Sequence, residues 1–146
     1  MKIDTRDFGA LEVSEQEVVR FVQPVYGFEQ SDRYVLLSDD SVGDCFLWLQ
    51  SVSQQEVCFI LVDPAVLPHP YQPTLPEETR AQLQLDDDSQ LAVRLIAVVP
   101  EDLTQATVNL KSPVVINTAK KLGAQVMLDE PYAIRAPLVG GEGTLC

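Results

Sequence analysis

Apolar residues in this chain come in short runs or at alternate positions, and only rarely at helical spacing. Lys2–Arg6 and Ala10–Val13 alternate apolar and polar residues across Asp7-Phe8-Gly9, which predicts a hairpin with one wet face. Ser14-Glu-Gln-Glu17 has the spacing of a capping box. The β-branched run Val18–Val22 follows at once, so any helix there is limited to one turn and a strand comes next. Pro24 ends that strand, and Tyr26-Gly27-Phe28 then forms a loop with two rings beside a glycine. Arg33–Leu37 reads as a short strand and Asp39–Asp44 as an acidic turn. Cys45–Leu49 and Val57–Val62 read as two central strands joined by a polar loop, with Trp48 assigned to the core.

Asp63-Pro64 breaks this pattern. Prolines at 64, 68, 70, 73 and 76 make the following stretch an extended excursion. Glu77–Leu85 has the composition of a short helix, with acids at its N-terminal end and Leu75, Thr79, Leu83 and Leu85 along its inner edge. Asp86–Ser89 ends it. Leu91–Val99 is the longest strand signal and is nearly apolar on both faces, as in a central strand or one wrapped into a barrel. Pro113–Thr118 and Ala124–Leu128 predict the arms of a hairpin inserted in the core. Ala119–Gly123 is its turn, with Gly123 supplying a positive φ and Lys120 and Lys121 left in water.

Ten or so short strands with one or two short helices predict a mainly β fold, an antiparallel barrel-like single domain over residues 1–138. The last eight residues, 139–146, are Gly-rich and are expected to form a flexible tail. At 146 residues the chain suits one domain with a real core. No apolar run approaches the roughly 18 residues of a membrane span, and the N-terminus lacks a signal-peptide h-region. The expectation is therefore a cytoplasmic protein that does not enter a membrane.

Charge changes the picture more than composition does. The net charge is −12, which disfavours direct contact with nucleic acid because phosphates are repelled. The charge is also uneven: residues 1–102 hold 19 acids against 6 bases, a net of −13, while residues 103–146 hold 3 against 4, a net of +1. The acidic part either keeps the protein soluble or attracts a basic partner.

Catalytic patterns are scarce. Cys45, Cys58 and Cys146 contain no Cys-x-x-Cys, which argues against a zinc site or a disulfide framework. His69 stands among prolines without a second histidine. Asp86-Asp87-Asp88 lacks the spaced oxygens of a calcium loop and reads as a solvated turn. There is no phosphate-binding glycine loop and no Gly-x-Ser-x-Gly elbow. No cofactor or metal is expected. A small cytoplasmic hydrolase using an Asp/His/Cys site, with Cys45 and His69 as its core, is the alternative to an interaction protein.

Asn109-Leu-Lys-Ser-Pro-Val-Val-Ile-Asn117 resembles the signature of the flagellar assembly factor FliW family. Met1–Gly9, Tyr26-Gly-Phe-Glu29, Trp48-Leu-Gln-Ser51, Val62-Asp-Pro64 and Tyr132–Leu138 resemble further segments of that family in the same order. The resemblance covers about residues 1–138 and agrees with a β-barrel-like domain. It implies a non-enzymatic, cytoplasmic checkpoint factor with two partners, flagellin awaiting export and the RNA-binding translational repressor CsrA. On this reading Tyr26, Phe28, Asn109, Lys111 and Asn117 form or support a flagellin surface. The acidic turns Asp39, Asp40, Asp44 and Asp86, Asp87, Asp88, with Glu77 and Glu78 nearby in sequence, face the basic partner. A monomer is expected.

Overall fold

The computed structural model describes residues 1–39, 43–67 and 69–138; Asp40, Pro68 and the segment 139–146 with Cys146 lie outside it. Seven strands close a barrel. In spatial order they are β7 (Leu91–Val98), β6 (Cys58–Val62), β5 (Gly43–Ser51), β4 (Arg33–Asp39), β3 (Val19–Gln23), β10 (Leu122–Gln125) and β9 (Val114–Asn117), and β9 returns to β7. β7 is the seam. Its first half, Leu91–Arg94, pairs with β9, and Leu95–Ala97 pair with β6. Leu95 and Ala97 are its buried residues and Val98 is 64% exposed, so its nearly continuous apolar sequence does not mean burial on both faces. β8 (Thr107–Val108) and β11 (Ala136–Pro137) extend the sheet beyond β7. Every pairing in the barrel is antiparallel except β3 with β10.

Side chains alternate between the lumen and the outer surface. Phe21, Tyr34, Leu49, Leu61, Val114 and Ile116 fill the lumen. Three short segments then cover outward faces. The hairpin of β1 (Lys2–Asp4) and β2 (Ala10–Glu12) lays Ile3 and Val13 on Val35. The proline-rich excursion and the helix α1 (Glu77–Gln82) bring Tyr71, Leu75 and Leu83 onto Val115, Leu122 and Ala124. β8 and β11 pack on Val62 and Leu95. Double coverage is why all eight residues of β9 and β10 are buried.

The predicted hairpin at 113–128 therefore forms, but its turn chemistry differs from the expectation. Lys121, not Gly123, takes the left-handed conformation, at φ +56°. Gly123 sits inside β10 opposite Phe21, where an added Cβ would lie 2.6 Å from the Phe21 ring. The glycine there serves close packing rather than a turn. Ser14 caps a single 3-10 turn, Glu15–Glu17, by accepting from the Gln16 N–H, so the Ser14–Glu17 box is not formed. β5, at nine residues, is longer than β7, at eight. Trp48 is half-buried and meets Phe8 edge-on at 5.2 Å. The predicted helix is present at Glu77–Gln82, with Thr79 and Leu83 buried.

Candidate functional site

The parallel register of β3 and β10 sorts the candidate residues by barrel end. Tyr26 follows the C-terminal end of β3, beside the C-terminal end of β10 and the N-terminal end of β9. The β9–β10 turn, residues 118–121, lies at the opposite end, together with the C-terminal end of β4.

At the first end, Gly27 at φ +87° turns the loop tightly, so that the Phe28 N–H donates to the Val25 carbonyl at 2.9 Å. Both rings are thrown outward: Tyr26 is 50% exposed and Phe28 39%. One edge of Phe28 still rests on Phe59, with centroids 5.0 Å apart. The loop is tied to the core by Gln125, which is buried. Its Oε1 accepts from the Tyr26 N–H at 2.8 Å, and its Nε2 donates to the Ser112 carbonyl at 3.2 Å. Asn109 Oδ1 accepts from the Lys111 and Ser112 N–H groups, both at 3.0 Å, and so shapes the turn before β9. Lys111 Nζ donates to the Glu130 carbonyl at 2.9 Å. Met127, 50% exposed, accepts from the Ser112 hydroxyl at 3.5 Å. Tyr26, Phe28, Asn109 and Lys111 are thus gathered at one end. Gln125 and Met127 are the members that sequence reasoning missed. The signal for Gln125 was a lone polar residue inside an apolar strand arm.

Asn117 does not join them. It is fully buried at the other end of the hairpin, so it supports that end and offers no surface to a partner. Its Nδ2 donates to the Leu83 carbonyl at 2.8 Å and the Gln84 carbonyl at 3.3 Å, at the C-terminal end of α1. Its Oδ1 accepts from the Ala119 and Lys120 N–H groups. All four hydrogen-bonding positions of the amide are used.

Asp39, Asp86 and Asp87 belong to this second end. Asp86 and Asp87 are exposed. Asp86 lies 3.5 Å from Lys120 Nζ, which also donates to the Gln84 carbonyl. Asp87 accepts from the hydroxyl and the backbone N–H of Ser89, and these bonds lower its pKa. Asp39 is half-buried at the end of β4. Asp44 is the second residue of β5 and Asp88 begins a 3-10 turn, but their side chains, like that of Cys45, lie outside the described residues. Glu77 and Glu78 are exposed on the first turn of α1.

Among the described residues no group of three His, Cys, Asp or Glu side chains is arranged to hold a metal ion. Cys58 is buried, and burial pushes its thiol up, away from the thiolate a nucleophile needs. His69 is exposed, and its Nδ1 lies 3.3 Å from the Pro70 carbonyl. Among the described residues no helix is long and apolar enough to cross a membrane.

The family model described as "FliW protein" matches residues 2–138. The chain belongs to the FliW family. A relative from Ruminiclostridium cellulolyticum, named flagellar assembly factor FliW, is 36% identical over 136 residues, 92% of each chain. One of the same name from Syntrophus aciditrophicus is 38% identical over 130 residues, covering 89% of this chain and 82% of that one. A crystal structure of the flagellar assembly factor FliW superimposes with a TM-score of 0.87 at 33% identity, over 94% of this chain and 96% of that one. The barrel is thus the fold of that FliW structure.

Proposed function

We propose that this chain is a non-enzymatic, cytoplasmic flagellar assembly factor that holds flagellin before export and, once flagellin has left, antagonises the translational repressor CsrA. The observation that carries the reading is the separation of two surfaces on a barrel of this family. One end gathers exposed apolar groups, Tyr26, Phe28 and Met127, on loops beside the buried Gln125, which hydrogen-bonds the Tyr26 N–H and the Ser112 carbonyl. Exposed aromatic side chains on a rigid support are what an apolar protein partner needs. The other end carries acidic turns suited to a basic partner. There Asp86 and Asp87 would act mainly on encounter rate and salt sensitivity. An acidic body beside an RNA-binding surface repels RNA without occupying its site.

A pull-down with purified flagellin and CsrA tests both halves. Tyr26→Ala should fold normally and lose flagellin. Replacing Asp86, Asp87 and Asp88 by Asn should slow CsrA association and flatten its salt dependence, with flagellin retained. Unchanged flagellin binding by Tyr26→Ala, and unchanged rates in the triple variant, would overturn the two assignments separately.

A further inference from the structure

The open edge of β4 lies at the acidic end. The ladder between β3 and β4 stops after Val19–Tyr34, because the preceding residues coil into the Glu15–Glu17 turn. β4 continues to Asp39 with β5 on one side only. Hydrogen bonds alternate sides along an antiparallel strand. The Val52 N–H donates to the Arg33 carbonyl, which sets the phase on the β5 side, and the Phe21 N–H donates to the Asp32 carbonyl, which sets it on the β3 side. Leu36 therefore turns its backbone N–H and C=O away from β5, toward a side where no strand pairs with it among the described residues. Its side chain is 36% exposed. The edge opens into a groove lined also by Leu11, Glu12, Glu17 and Lys121.

We infer that this groove takes a short extended segment of a basic protein partner, added as a strand along β4 at Leu36, with an apolar side chain against Leu11 and Leu36 and lysine or arginine toward Glu17. Free edge groups invite strand addition, and alternate side chains of the added segment then read the pockets on either side. The charge chooses between occupants. Glu12 already pairs with the Met1 ammonium at 3.2 Å, which leaves Glu17 as the carboxylate that the groove offers to a ligand. A second copy of this chain would bring another net −12 to the same edge, whereas a basic segment is drawn to it. This site goes beyond the two surfaces assigned above, and a failure of flagellin or CsrA to bind leaves it standing.

The test uses neither of those proteins. The probe is an end-capped Lys-Val-Lys-Val-Lys-Val peptide, beside the same peptide N-methylated at alternate residues and a Glu-Val-Glu-Val-Glu-Val control. Amide hydrogen exchange at Leu36 is the readout, since only a strand on this edge protects that group. The basic peptide should slow exchange at Leu36 by about tenfold or more at saturation. N-methylation and the acidic control should abolish the effect, and Glu17→Gln should weaken the peptide at low salt. Protection that survives N-methylation, or binding that leaves Leu36 unchanged, overturns the inference. So does protection already present in the free protein: if concentration-dependent the edge is closed by a second copy, and if not, by the chain itself.

Discussion

The side-chain oxygen of Gln125 accepts the backbone N–H of Tyr26 at 2.8 Å, across 99 residues of sequence. The same side chain donates to the Ser112 carbonyl. One buried amide thus fixes the aromatic loop and the base of the β9–β10 hairpin relative to each other. Replacing it by leucine leaves the Tyr26 N–H and the Ser112 carbonyl unpaired, at about 1–3 kcal/mol for each group that stays buried. The larger consequence should be positional. Gln125→Leu is expected to weaken capture of flagellin more than Phe28→Ala does, with amide shifts at both Tyr26 and Ser112. An effect confined to one of these segments would show that they are held independently.

Asn117 closes the opposite end. Asn117→Leu is nearly isosteric but strands the Leu83 carbonyl and two N–H groups of the turn, while the Gln84 carbonyl keeps the Lys120 ammonium. The expected loss is about 2–4 kcal/mol, from several unsatisfied groups at about 1–3 kcal/mol each and partial rescue by water. Urea unfolding at constant m-value measures it. Flagellin binding at the other end should survive wherever the variant is folded.

Gly123→Ala tests the close approach to Phe21. The new methyl group would lie 2.6 Å from a ring carbon in the barrel lumen. The ring must move against a packed interior, which costs about 1–3 kcal/mol. Phe21→Leu in the same chain should recover part of it. Additive losses in the double variant would mean that the contact does not carry the penalty.

Asp87 supplies a pH dependence. The hydroxyl of Ser89, then its backbone N–H, hold the carboxyl below its usual range in the folded chain. A depressed folded-state pKa contributes stability above the unfolded value of about 3.9 and loses it as pH falls through the lower folded value. Ser89→Ala should raise the Asp87 titration midpoint seen by NMR toward 3.9. It should also lessen the fall of stability between about pH 4 and pH 2. An unmoved midpoint would mean that the hydroxyl bond does not form in solution.

The β-rich pattern, the interrupted apolar runs and the proline excursion were written into the sequence, because local periodicity and backbone restrictions act within a few residues. Leu91–Val98 could be recognised as a strand from composition alone, but not which of its residues are covered: Leu95 and Ala97 are buried and Val98 is exposed. The hairpin arms around 114–125 and the inner edge of the helix at Thr79 and Leu83 were also legible in the sequence. The partners of each face were decided by the tertiary structure. Gly123 looked like a turn residue, since glycine commonly supplies a positive φ. In the fold the turn belongs to Lys121 and the glycine makes room for Phe21, a residue about a hundred positions away. Asn109 and Asn117 are indistinguishable as letters in one motif, yet one shapes the turn at the aromatic end and the other is sealed under α1. The same holds for Gln125 and for the open edge at Leu36. Hydrogen-bond satisfaction is a condition on groups distant in sequence, so only closing the barrel determined which polar groups were tied down and which were left facing water.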